Sequence, residues 1–231
     1  MGASRDPTKW GYAIARNALT SAHRRSVFLV NHRGEEILGQ PSYRSLRDLP
    51  QAPELVAIVV RPAGFEAALD EALRAGARAI VAITSGLGEK DAAGLARQRA
   101  AADRVRAAGA VLVGPNCLGI ADTGTDLNLT WDHFRPGPVG LISQSGNLGL
   151  ELARLGHDAG LGFSRFVSVG NQADVDAPEC LRALIDHEAT RAIALYIEDF
   201  GDGRAFASMA HAAAAASAID AKARPSPKSS T

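Results

Sequence analysis

The sequence holds little that could anchor a metal, a disulfide or a membrane. Only two cysteines, Cys117 and Cys180, occur in 231 residues, and their spacing forms neither a metal-ligand nor a disulfide pattern. Basic and acidic side chains balance at 25 each, so the positive footprint of a nucleic-acid binder is missing. No apolar run reaches bilayer length; the best are Leu-Val-Ala-Ile-Val-Val at 55–60 and Ala-Ile-Val-Ala-Ile at 79–83. The first ten residues lack the apolar core of a secretory signal, and Gly2 has no polybasic support for a myristoyl anchor. No Gly-x-Gly-x-x-Gly occurs. These absences lead to the expectation of a cytoplasmic chain with no metal, no membrane contact and no nucleic-acid partner.

What is present is a core. Hydrophobic residues make up 46% of the chain, enough to exclude wholesale disorder. Short β-branched runs stand at 26–30, 55–60, 79–84, 110–114, 139–143, 162–169 and 192–198, with helical patterns at 9–21, 65–75, 92–108, 147–159 and 178–187. Strands alternating with helices read as βαβ units on parallel sheets. The runs are almost wholly apolar, as strands covered on both faces should be. The fold class is therefore α/β. Residues 119–138, rich in Gly, Asp, Thr and Pro, read as a linker, with Leu127, Leu129 and Trp131 pinned across the junction. One unit is expected over 1–130, a second over 136–206, and an Ala-rich helix with a loose tail over 207–231. Gly2-Ala3-Ser4 reads as a turn that should follow a strand, so the first strand of a doubly wound sheet is expected to be missing. Its neighbours would then lack backbone partners, and the chain should be marginally stable and prone to self-association. The chain reads as a fragment.

The stretch Pro138–Leu150 organises the rest. Val139, Leu141 and Ile142 stop at Ser143-Gln144-Ser145-Gly146, and a helical pattern opens at Asn147. A strand feeding a small-residue turn at a helix start exposes free N–H groups to an anion. Similar turns end the earlier strands: Gly2-Ala3-Ser4 with Lys9 and Gly11, Val30–Arg33, Val60–Ala63, Thr84-Ser85-Gly86 and Val113–Gly119. Such corners lie at the carboxyl edge of a parallel sheet, where ligands bind. No acidic residue follows the 26–30 run to hold a ribose, which argues against NAD and for another phosphate-bearing cofactor.

The ordered motifs Gly-Ala-Ser with Lys9 and Gly11, Val-Asn-His-Arg-Gly-Glu-Glu-Ile-Leu-Gly (30–39), Val-Arg-Pro-Ala-Gly (60–64), Ile-Thr-Ser-Gly-Leu-Gly-Glu (83–89), Gly-Pro-Asn-Cys-Leu-Gly (114–119), Ser-Gln-Ser-Gly-Asn-Leu-Gly (143–149), Gly-Asn-Gln-Ala-Asp-Val-Asp (170–176) and Leu-Tyr-Ile-Glu-Asp (195–199) resemble the NDP-forming acyl-CoA synthetases, relatives of the succinyl-CoA synthetase α-subunit. The resemblance runs from Gly2 to about Phe206. It implies a Rossmann-like CoA-binding domain followed by a flavodoxin-like ligase domain. An ATP-grasp domain or subunit outside this chain would use ATP and Mg. The implied reaction joins a carboxylic acid to CoA, with ATP giving ADP and phosphate through an acyl phosphate and a phosphohistidine relay. On this resemblance Gly2, Ala3, Ser4 and Lys9 line the CoA phosphates, with Asn31 and Arg33 nearby. Arg61 and Pro62 flank the cofactor, while Ser85, Asn116 and Cys117 lie toward its reactive end. Ser145, Gly146 and Asn147 hold the phosphoryl group, and Glu198 matches the acidic position that orients the phosphohistidine.

Two features depart from the family pattern. None of the six histidines (His23, His32, His133, His157, His187, His211) has the setting of the relay histidine, so the chain alone should not turn over. His32 replaces the usual proline of its loop. Several residues keep two readings: Lys9 as phosphate contact or solvated helix face, Asp174 and Asp176 as ligand contacts or helix cap, Glu198 as catalytic or plain surface carboxylate. Cys117 lacks a basic neighbour and reads as a turn residue rather than a nucleophile. Alternatives to the ligase are the matching region of a protein lysine acyltransferase, a non-catalytic CoA-binding module and, by fold alone, an NAD-linked oxidoreductase.

Overall fold

The computed structural model describes residues 1–200, 203, 204 and 206–211. The tail expected at the end of the chain, from 212 to 231, lies outside the described residues. Helices α1 (Trp10–Leu19), α2 (Phe65–Arg74), α3 (Ala92–Ala107), α4 (Gly146–Asp158) and α5 (Ala177–Ile185) form where the sequence periodicity puts them. In α2 the buried residues Phe65, Ala68, Leu69 and Ala72 recur at the helical spacing. Asp91 starts α3 by accepting from Gly94 N at 2.7 Å.

Strands β1 (Leu29–Val30), β2 (Ser42–Tyr43), β3 (Leu55–Ile58), β4 (Ala79–Ala82) and β5 (Val111–Val113) belong to the first unit. β3, β4 and β5 form one parallel sheet in that order, and β1 pairs with β2 beside it. Met1 to Ala3 run between these two pieces. The Met1 ammonium donates to Ala57 O at 2.7 Å, Val59 N to Met1 O at 3.0 Å, and Gly2 N to Val30 O at 3.0 Å. Met1 thus pairs with β3 and Gly2 with β1, which places the Gly2-Ala3-Ser4 turn at the end of both strands. One face of the sheet buries Val56, Ile58 and Ile80 with Phe65, Leu69 and Val105 of α2 and α3. The other buries Val81 and Ile83 with Ile14 of α1 and Leu129. Cover on both faces explains the unbroken apolar runs.

The second unit holds β6 (Ile120–Asp122), β7 (Leu127–Asn128), β8 (Pro136–Ser143), β9 (Phe163–Ser168) and β10 (Ala192–Tyr196) in the order β10-β8-β9-β6-β7. β10, β8 and β9 are parallel, while β6 runs antiparallel to β9 and to β7. The stretch expected as a linker therefore contributes two short strands to this sheet. They escape a pattern search because they span three and two residues amid turn-forming residues. Leu129 is buried against Ile14, and Trp131 stacks on Trp10 with ring centroids 5.2 Å apart. Along β8, Leu141 packs with Ala153 of α4 and its neighbour Ile142 with Leu181 and Leu184 of α5. Successive strand residues face opposite ways, so the two helices cover opposite faces.

The two readings of the Asp-Val-Asp segment separate here. Asp176 caps α5 in a reciprocal box, accepting from Glu179 N at 2.8 Å while Glu179 accepts from Asp176 N at 3.1 Å. Asp174 accepts from Arg106 Nε at 2.7 Å and from Leu112 N at 2.9 Å. Both carboxylates serve the fold.

Candidate functional site

The carboxyl ends of β1, β3 and β4 open into a cleft of about 920 Å³. Gly2, Ala3, Ser4 and Lys9 line it with Asn31, His32 and Arg33, with Arg61 and Pro62, and with Thr84 and Ser85. Each strand end delivers one corner, because parallel strands all end on the same edge. The turns are tied together. Asn31 Nδ2 donates to Ala3 O at 2.6 Å, and Asn31 Oδ1 accepts from Arg33 N at 2.8 Å. Thr84 Oγ1 donates to Val60 O at 2.9 Å. Gly2 adopts φ +84°, and a Cβ there would meet Val59 O at 2.1 Å, so the close approach of the turn to β3 requires glycine.

Lys9, Arg33 and Arg61 are exposed at the rim, and none forms an ion pair among the described residues. Three such cations, with turn amides behind them, suit phosphates. Lys9 precedes α1 and places no side-chain cap on it.

The structure does not bring Asn116 or Cys117 into this cleft. Cys117 is buried with Ile14, Val81 and Ile83, and its Sγ lies 3.2 Å from Ala82 O. Burial pushes its thiol up to about 12. A turn closed by Gly114 and Gly119, both at φ +97°, aims this side chain inward, and spacing in the sequence cannot show that. Asn116 is exposed and donates from Nδ2 to Asn171 Oδ1 at 3.1 Å.

A second site forms at the start of α4. Ser145 is the cap, its Oγ accepting from Leu148 N at 3.5 Å, and Ser143 Oγ donates to Ser145 O at 2.5 Å. The amides of Gly146 and Asn147 head the helix without acceptors among the described residues, in the field of the helix dipole. Glu198 belongs to this site through the backbone. Gln144 Oε1 accepts from Glu198 N at 2.8 Å and Asp199 N at 2.9 Å, while Gln144 N donates to Tyr196 O at 2.8 Å. Gln172 Nε2 donates to Asp199 O at 3.0 Å from the opposite side.

A polar bridge joins the two sites. Asn171 Nδ2 donates to Glu89 Oε2 at 2.6 Å and to Gln98 Oε1 at 2.8 Å, and Glu89 accepts from Gly86 N in the Ser85 turn. Burial alone would raise the Glu89 carboxyl, but the Asn171 amide and the Gly86 and Leu87 N–H groups hold it below its usual range. Gln144, Gln172, Asn171 and Glu89 carried no role in the sequence reading. All four lie inside the quoted motifs, which was the available signal.

Comparison with known proteins identifies both domains. A CoA binding domain model covers residues 1–123, and a succinyl-CoA ligase like flavodoxin domain model covers residues 136–221. The α-subunit of acetate–CoA ligase [ADP-forming] II from Pyrococcus furiosus is 37% identical over 211 residues, 91% of this chain and 46% of that protein. The 4-hydroxybutyrate–CoA ligase [ADP-forming] of Nitrosopumilus maritimus is 30% identical over 210 residues, 89% of this chain and 30% of that protein. Among solved structures, PH0766 from Pyrococcus horikoshii superposes with a TM-score of 0.87 at 38% identity, covering 92% of this chain and 49% of that one. The dinucleotide forming acetyl-coenzyme A synthetase 1 of Ca. Korarchaeum cryptofilum, in complex with phosphate and ADP, gives 0.84 at 31% identity, covering 92% and 46%. The chain spans about half the length of the Pyrococcus relatives it matches. It belongs to the NDP-forming acyl-CoA synthetase family and contains that family's CoA-binding and succinyl-CoA ligase-like domains.

Proposed function

We propose that this chain is the CoA-binding and phosphoryl-handling region of an ADP-forming acid–CoA ligase in the cytoplasm. In that reaction a carboxylic acid, CoA and ATP give acyl-CoA, ADP and phosphate. The observation that supports it most is the pairing of a cleft rimmed by Lys9, Arg33 and Arg61 with a helix start carrying free amides at Gly146 and Asn147. The Asn171–Glu89 bridge links the two.

The residues fit the cofactor. Lys9 and Arg33 neutralise its phosphates, and the Gly2–Ser4 and Asn31 turns supply polar atoms for the nucleotide end. Arg61, Pro62 and Ser85 flank the arm that leads toward α4. There Ser145, Gly146 and Asn147 stabilise a phosphoryl group with amides and a hydroxyl, and Glu198, held by Gln144, orients the group that carries it. An ATP-grasp domain or subunit, and a relay histidine, come from outside these residues. Two Pyrococcus furiosus relatives are α-subunits of acetate–CoA ligases, and acetate is the first acid to offer.

Calorimetry of the chain with CoA, dephospho-CoA and NAD tests the reading. CoA should bind, and NAD should give no heat. Arg33→Ala should weaken CoA roughly 10–100-fold, the loss of one charge-assisted contact. NAD binding in preference to CoA would overturn the proposal. Turnover with ATP, acetate and CoA should appear only after an ATP-grasp partner carrying the relay histidine is added.

A further inference from the structure

Trp10, Ile14 and Asn17 share one face of α1, because they recur at helical spacing. Ile14 and Asn17 are buried there and seat the segment that follows β7. Ile14 shares a cluster with Leu129. Asn17 Nδ2 donates to the carbonyls on either side of Trp131, Thr130 O at 2.8 Å and Asp132 O at 3.4 Å. Trp131 is thereby fixed against Trp10, with the two ring planes 15° apart. The approach to α1 is held as well: Asp6 Oδ1 accepts from Thr8 N at 2.9 Å, and Asp6 O from Lys9 N at 3.0 Å.

Trp10 nevertheless stays 53% exposed, more than any other large apolar side chain among the described residues, and it lines the cleft. Trp131 covers one face of the indole, so the open surface is the other face and the ring edge. A braced, water-facing indole in a cleft is apolar area held ready for a ligand. Val111, Leu155, Leu161 and Leu195, also exposed, do not line this cleft.

The stack also says which part of a ligand Trp10 meets. Trp131 packs against the cluster that holds Ile83, the residue leading into the Thr84-Ser85 turn. It packs too against the cluster that holds Leu118, whose side chain lies on Gly146 at the head of α4. Trp10 therefore stands on the side of the cleft nearest the second site. His32 and Arg33 follow β1, which lies on the opposite side of β3 from β4.

With CoA in the cleft as proposed above, on which this inference rests, we propose that the open face of Trp10 seats the pantetheine arm. The methyl groups and planar amides of that arm match an apolar ring. Trp10 thereby selects ligands that carry the arm over the nucleotide half alone.

Trp10 and Trp131 are the two tryptophans of the chain, so indole emission reports on this stack. The 231-residue chain is titrated with CoA and with adenosine bisphosphate, the nucleotide half without the arm, and followed by calorimetry and by emission. CoA should shift the emission to the blue as water leaves the indole, and adenosine bisphosphate should bind without that shift. Trp10→Ala should weaken CoA roughly tenfold and adenosine bisphosphate by less than about twofold. Trp10→Phe keeps a flat apolar face, so it should restore CoA binding while removing the shift. CoA that binds with heat yet leaves the emission unchanged overturns the proposal and spares the CoA reading. Equal emission changes with the two ligands would put the base on the indole and also overturn it. So would equal losses for the two ligands in Trp10→Ala, the mark of a merely structural residue. Absence of CoA heat from the unsubstituted chain would defeat the CoA reading itself, and the role of Trp10 with it.

Discussion

Gly11 lies in the first turn of α1, where a Cβ would sit 2.0 Å from Gly2 O. The helix start and the Gly2–Ser4 turn can approach only because that side chain is absent. Gly11→Ala should lower stability by about 1–3 kcal/mol, as overpacking does, and weaken CoA further by displacing the turn. Thermal melts and calorimetry check both. Met1 offers a pH test. Burial pushes its ammonium down to about 6 from 8.0, against a smaller opposing pull from Glu71. Between those values the unfolded chain holds a proton that the folded chain has released, so stability should rise from pH 6 to pH 8. The gain is on the order of 2–3 kcal/mol. Acetylating the Met1 amine should flatten that slope, as urea melts at both pH values would show.

At the level of elements, the turn after β10 depends on one side chain. Gln144 Oε1 holds two successive amides, Glu198 N and Asp199 N. Gln144→Ala should speed hydrogen exchange at those two amides at least tenfold while Tm moves by only a few degrees, since the backbone bond from Gln144 N to Tyr196 O survives. Gln144→Glu keeps an acceptor there and should restore slow exchange. The helices and main strands were legible because apolar spacing decides which face is buried, as Phe65, Ala68, Leu69 and Ala72 show. β6 and β7 were not, because they form a hairpin only three and two residues long, which β6 alone docks on β9. The cleft was legible wherever a turn directly follows a strand, as at Asn31, Arg61 and Ser85. The inward direction of Cys117 was not legible, because it depends on backbone angles of a glycine-closed turn that residue types do not reveal. Gln144 and Asn171 were passed over because their roles are to hold other groups.

Across the whole molecule, the parallel strands of the first sheet and of the mixed second sheet present their carboxyl ends to a common region, and the polar bridge through Asn171, Glu89 and Asn116 spans it. Ion pairs outside the sites, such as Arg97 with Glu66 and Arg165 with Asp122 at 2.8 Å, tie neighbouring elements, while Lys9, Arg33 and Arg61 form none among the described residues. In the proposed function, backbone corners at the edge of the first sheet hold CoA. Hydrogen exchange of the chain with and without saturating CoA tests it most directly. Protection should concentrate at residues 2–11, 31–34, 60–64 and 84–86. Protection confined to other segments, or none at a CoA concentration that calorimetry shows to be bound, would contradict it.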